Sequence, residues 1–170
     1  QGDSEHPGYD EFAAFSLACE AIAQLNEPHA LIVKEHPRHS SLEVRDSYGN
    51  TRAIKNPQMD ALDLILAADF VIGMSSTVLI YAFLAGRKVI VVQPGLQTDI
   101  DRNMLSRRGI VANKQSIDEI LEAIYCKTDQ RKILDQVRCD LGWGQRLDVQ
   151  AAEFIQKLAA TSKNKCEERG

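Results

Sequence analysis

A chain of 170 residues with 44% hydrophobic and 26% charged side chains has the length and composition of one globular domain around one core. Its 24 acidic residues outnumber its 20 lysines and arginines, and the resulting net charge of −4 speaks against the basic footprint of a nucleic-acid binder. The apolar runs Ala30–Val33, Phe70–Ile72 and Val89–Val92 are far too short to cross a bilayer, so no transmembrane segment is expected.

From the N-terminus, Gln1–Glu5 is polar and acidic, unlike a secretory or transit peptide, and the chain does not open on Met, as a piece of a longer protein would not. Asp10 is placed to cap a helix through Phe12, Phe15, Cys19, Ile22 and Leu25, spaced as one buried stripe. The β-branched run His29–Lys34 does not alternate, which predicts a parallel strand covered on both faces. Residues 38–50 are polar, with at most a short strand at Leu42–Val44, and Thr51–Ile54 reads as an edge strand. Pro57 suits the first turn of a helix through Met59, Leu62, Ile65 and Leu66, followed by a strand over Asp69–Gly73.

Ser75-Ser76-Thr77 opens a helix over Val78–Ala85, and Gly86 stands where a left-handed cap belongs. Lys88–Val92 is the next buried strand, ended by Pro94-Gly95. Leu96–Arg108 is a polar loop with one helical turn at most, ahead of a short strand at Ile110-Val111. Ser116 and Glu119 have the spacing of a capping box for a helix through Ile117, Ile120, Leu121 and Ile124. Helices over 128–141 and 148–158, hinged at Gly142-Trp143-Gly144, close a single domain of residues 1–160, and 161–170 reads as a charged tail. The four cysteines match no zinc or disulfide spacing, and no Asn-x-Ser/Thr sequon occurs; reduced thiols, no metal site and a cytoplasmic location are expected.

Strands alternating with helices predict an α/β fold: a doubly wound, Rossmann-like parallel sheet with helices on both faces. Such a unit begins on a strand, whereas this chain begins in a loop and a helix. A central strand is therefore expected on the N-terminal side of Gln1.

In this architecture ligands bind beyond the carboxyl ends of the strands, which singles out the loops after Lys34, Ile72 and Val92. Gly73, Ser75, Ser76 and Thr77 put a small residue, three hydroxyls and backbone donors at a helix start, where an anionic phosphate is held without a cation. The plainer alternative is a Ser75 that only caps the helix. The stretch lacks the GxGxxG and GxxxxGK[ST] patterns, and Thr77 stands where a GxSxG elbow needs Gly. Pro37 forces His36 into an extended conformation above the sheet, within a locally basic stretch with Lys34, Arg38 and His39; a phosphate contact and a simple strand-end histidine are both open. Gln93 ends the third strand, below a loop long enough to reach over a ligand.

Three segments together, 31–37 (LIVKEHP), 67–79 (AADFVIGMSSTVL) and 82–95 (AFLAGRKVIVVQPG), resemble the C-terminal, donor-binding half of GT-B-fold glycosyltransferases, especially bacterial enzymes of capsule, polysialic acid and other surface polysaccharides. The resemblance spans roughly residues 10 to 125. It implies that His36 of the His-Pro motif, as a catalytic-site residue, and the hydroxyls of Ser75, Ser76 and Thr77 contact the nucleotide phosphate, with Gly73, Lys34, Tyr81 and Gln93 around the same donor. Tyr81 is a departure: many relatives carry a Glu there that grips the ribose, and a phenol cannot accept two hydrogen bonds as a carboxylate does. The implied ligand is a CMP-, CDP- or UDP-linked sugar, with no further cofactor and with an acceptor-binding domain or subunit as partner. Isolated, such a domain would bind donor without turnover. A UDP-sugar 2-epimerase-like enzyme and a non-catalytic binding or assembly module share this architecture and are the alternatives.

Overall fold

The structure, a computed structural model, describes residues 10–35, 42–55, 57–97, 103–126 and 132–135. The chain divides into two units, Gln1–Gln130 and Arg131–Gly170. In the second, residues 132–135 are helical and Leu134 is buried; the rest of the two expected closing helices, their hinge and the tail lie outside the described residues.

The first unit runs α1 (Glu11–Ala23), β1 (Ala30–Val33), β2 (Ser47–Tyr48), β3 (Thr51–Lys55), α2 (Ala61–Ala67), β4 (Phe70–Gly73), α3 (Thr77–Leu84), β5 (Lys88–Val92), α4 (Met104–Arg107), β6 (Asn113–Lys114) and α5 (Ile117–Tyr125). Among the described residues its strands form two three-stranded sheets, ordered β1-β3-β2 and β4-β5-β6. The second sheet is wholly parallel, and in the first only the β2–β3 hairpin is antiparallel. Helices alternating with parallel strands make this a Rossmann-like α/β fold.

Asp10 caps α1 as its position predicts, its carboxylate accepting the Ala13 amide at 2.6 Å. Of the expected stripe, Cys19, Ile22 and Leu25 are buried and Phe15 is half-buried, whereas Phe12 is exposed; the rest of the buried side is made by Ala14, Ala18 and Ala21. Small side chains let the helix come close to its neighbours, and Ala14 and Ala21 share a core cluster with Ile90 and Val92 of β5 and Ile120 of α5.

The same helix also covers the first sheet. Phe15 meets Tyr48 edge-on, ring centroids 6.4 Å apart, and the Tyr48 hydroxyl donates to the Cys19 sulfur. Gly49, at φ +56° in the β2–β3 turn, lies so close to the end of α1 that a Cβ there would stand 2.4 Å from the Ala23 carbonyl oxygen.

Several strand expectations are corrected. β1 is covered on one face only: Val33 is buried while Ile32, opposite Ile54 of β3, is 41% exposed. β3 is the middle strand of its sheet, because the chain turns back at Gly49 and pairs β2 along its far edge. Leu42–Val44 and Ile110-Val111 are not strands; the ladder residues are Ser47–Tyr48 and Asn113–Lys114. Pro57 lies ahead of α2, whose cap is Asp60, accepting the Leu62 amide at 2.8 Å. β5 is buried from Val89 to Val92, and its Lys88 ammonium reaches the carbonyls of Ile124 and Cys126 at the end of α5. Ser116 caps α5 as expected, but the Glu119 carboxylate accepts the amide of Gln115, one residue before the cap.

The α1–β2 contact is tested by variants at Gly49 and Cys19, with Gly109, which follows α4, as the control for a left-handed glycine free of any clash. Gly49→Ala combines a left-handed backbone with a backbone clash and should cost more than about 2 kcal/mol in urea denaturation. Gly109→Ala, at φ +68° with open space around it, should cost about 1 kcal/mol. Burial pushes the Cys19 thiol up, partly offset by the hydrogen bond from Tyr48, and burial together with that bond pushes the Tyr48 phenol up. Both groups hold their protons longer folded than unfolded. Their contribution is therefore complete at neutral pH and is lost as pH rises past the ordinary thiol range, about 8.5. Cys19→Ala should flatten the alkaline fall in denaturation midpoint between about pH 7 and about pH 10.

Candidate functional site

β4 and β5 are hydrogen-bonded neighbours with Gly73 opposite Val91, so the loops that leave their carboxyl ends emerge together. Gly73 allows a tight approach there: a Cβ would stand 3.1 Å from Cδ2 of Leu79, a buried residue of α3, whose side chain would have to give by a few tenths of an ångström. α3 therefore starts close against β4. Ser76 is its N-cap, its hydroxyl oxygen accepting the Val78 amide at 3.2 Å, while the Leu79 amide donates to the Ser76 carbonyl. The capping residue is thus Ser76, one position beyond Ser75.

Ser75, Ser76 and Thr77 are all exposed at the helix start. Tyr81, 54% exposed, lies four residues after Thr77 and so on the same helical face. α1, α2 and α5 carry Glu11, Asp63, and Asp118 with Glu119 in their first turns; α3, like the single-turn α4, has no acidic residue there, so no side chain of its first turn neutralises the positive end of its dipole.

The serine loop is held from below by a residue that the sequence reading passed over. Asn103 is buried after a polar loop, and its Nδ2 donates to the Met74 carbonyl at 2.8 Å. Its Oδ1 caps α4, accepting the amides of Leu105 and Ser106 at 2.8 and 3.4 Å. The signal was present in Asn followed by an apolar residue at a loop end, the pattern of an N-cap. Gln93 belongs to the same floor and is fully buried, its amide donating to the Lys114 carbonyl and its carbonyl accepting from Asn113 Nδ2.

Gly73, Ser75, Ser76, Thr77, Tyr81 and Gln93 thus gather at the carboxyl edge of the second sheet. Lys34 follows β1 of the first sheet, and its ammonium donates to the carbonyls of Pro57 and Met59 at 3.0 and 3.3 Å, fixing the entry to α2. His36 lies outside the described residues. The ends of its loop are described: the Glu35 carboxylate accepts the Leu42 amide at 2.8 Å and pairs with Lys55, which donates to the Leu42 carbonyl.

The double role of Asn103 can be separated by substitution. Asn103→Asp keeps the cap oxygen and removes the donor to Met74, whereas Asn103→Ala removes both. The alanine variant should lose about 2–4 kcal/mol in chemical denaturation, combining a lost cap with a carbonyl left unpaired, and the aspartate variant, which sets a buried carboxylate oxygen against the Met74 carbonyl, should lose at least as much at neutral pH.

Among the described residues no helix is long and apolar enough to cross a membrane, and no three His, Cys, Asp or Glu side chains gather as a metal site requires. Comparison with curated proteins and with solved structures finds no match. A family model does match, over residues 16–141, well over half of the chain, which therefore belongs to the family described as Protein of unknown function (DUF354).

Proposed function

We propose that this chain is the donor-nucleotide-binding part of a sugar transferase of surface polysaccharide synthesis, holding the phosphate of a nucleotide-sugar at the start of α3. The observation that carries the reading is the exposed row Ser75-Ser76-Thr77 on an α3 terminus without a carboxylate, at the joined carboxyl ends of two parallel strands. Hydroxyl and amide donors fixed in this way favour an anionic phosphate, and favour it more as further charge develops on a departing nucleotide. Asn103 and Leu79 keep the row in place before any ligand arrives, which lowers the ordering cost of binding. The resemblance to GT-B donor domains adds His36 to the phosphate contacts and Tyr81 beside the ribose. The acceptor and its general base are assigned to a second domain or subunit.

Titration calorimetry with CMP, CDP and UDP tests this. Saturable binding is expected, weakened about 5- to 150-fold by Ser75→Ala, Thr77→Val or His36→Ala, the equivalent of about 1–3 kcal/mol for a charge-assisted hydrogen bond. Ser76→Ala is the less clean probe, since it also removes a helix cap. Absence of binding, or affinities equal across these variants, rules the reading out.

A further inference from the structure

Among the described residues, the backbone pairing of the two sheets leaves two inner edges open. The Arg52 amide donates to the His29 carbonyl, and with Ala30 opposite Arg52 the parallel ladder then engages Leu31 and Val33. The N–H and C=O groups of Ala30 and Ile32 consequently point away from β3. On the other sheet the Gln93 amide donates to the Lys114 carbonyl, which turns Val91 toward β6 and Val92 and Ile90 toward β4. With Val71 opposite Val89, β4 uses Val71 and Gly73 for that ladder, so the backbone groups of Phe70 and Ile72 face its open edge.

These two edges do not have the composition of edges. The outer strands β2 and β6 are two residues long and polar, as protected edges are. Ala-Leu-Ile-Val of β1 and Phe-Val-Ile-Gly of β4 contain no charge and no proline, and both belong to parallel pairs, which are normally interior. The His29 and Phe70 rings, 6.3 Å apart, bring the leading ends of the two strands together, yet the strands are not hydrogen-bonded to each other. α1 bridges both sheets and leads into β1 as the crossover helix of a βαβ unit does, and such a helix is preceded by a strand parallel to the one it enters.

We infer that one further parallel strand, supplied by polypeptide on the N-terminal side of α1, lies between β1 and β4 and joins the two sheets into one. It pairs with Ala30 and Ile32 on one side and with Phe70 and Ile72 on the other. It is apolar and β-branched, because it is flanked on both sides by apolar strands, and it holds β1 and β4 about 10 Å apart, two strand spacings.

The test is amide exchange on the 170-residue chain and on two fusions to its first residue, one carrying Lys-Val-Ile-Val-Val-Ile-Val-Lys and the other a Gly/Ser octapeptide, each tethered through the chain's own first nine residues. The apolar fusion should slow exchange of the Ala30, Ile32 and Ile72 amides at least about tenfold, leave Leu31 and Val33 unchanged and raise Tm. Ile32→Pro, which removes an amide from the open edge and spares the β1–β3 ladder, should abolish these gains. Equal exchange in the two fusions overturns the inference. So does protection that rises with protein concentration, which would mean edge-to-edge pairing of two copies.

Discussion

A helix lined with alanine holds this unit together. Where Ala14, Ala18 and Ala21 face the interior, no long side chain keeps α1 at a distance, and its backbone settles against β5 and α5 on one side and the β2–β3 turn on the other. The glycine at position 49 and the Cys19–Tyr48 contact belong to the same close approach. Together with the His29–Phe70 ring contact, this helix ties the two three-stranded sheets to each other. Dispersion between closely approaching atoms is individually weak, so the junction depends on many contacts at once and tolerates little added volume.

The parts of the fold that could be read from the residues are those in which one local signal sufficed. Asp10, Ser116 and Gly86 mark helix ends through their own side chain or left-handed backbone, and β5 announces itself by an unbroken β-branched run. The misplacements arose where a distant partner decides. Nothing within Thr51–Ile54 tells whether a hairpin will return along its far side, and nothing within Ala30–Val33 tells that only one face will be covered. β2 and β6 are too short to carry any periodicity, so their residues are strands only because a neighbour offers a ladder.

The site was legible to a similar degree. A glycine, a run of hydroxyls and the end of an apolar strand are visible as a pattern, and the fold does bring Gly73, Ser75, Ser76, Thr77, Tyr81 and Gln93 to one edge. Asn103 was missed because its importance comes from burial and from a carbonyl 29 positions earlier. The engagement of Lys34 with Pro57 and Met59 was equally invisible, since a lysine beside a histidine looks like a free cation until its acceptors are seen.

The clasp at the base of the loop after β1 has a consequence for how such a protein diversifies. Glu35, Leu42 and Lys55 tie the two ends of that excursion through one carboxylate, one amide, one carbonyl and one ammonium, all four supplied by residues outside the excursion itself or at its rim. The framework on either side of positions 36–41 is thereby closed by its own residues. An insert of different length between the tied ends would leave that closure, and the strand register beneath it, in place.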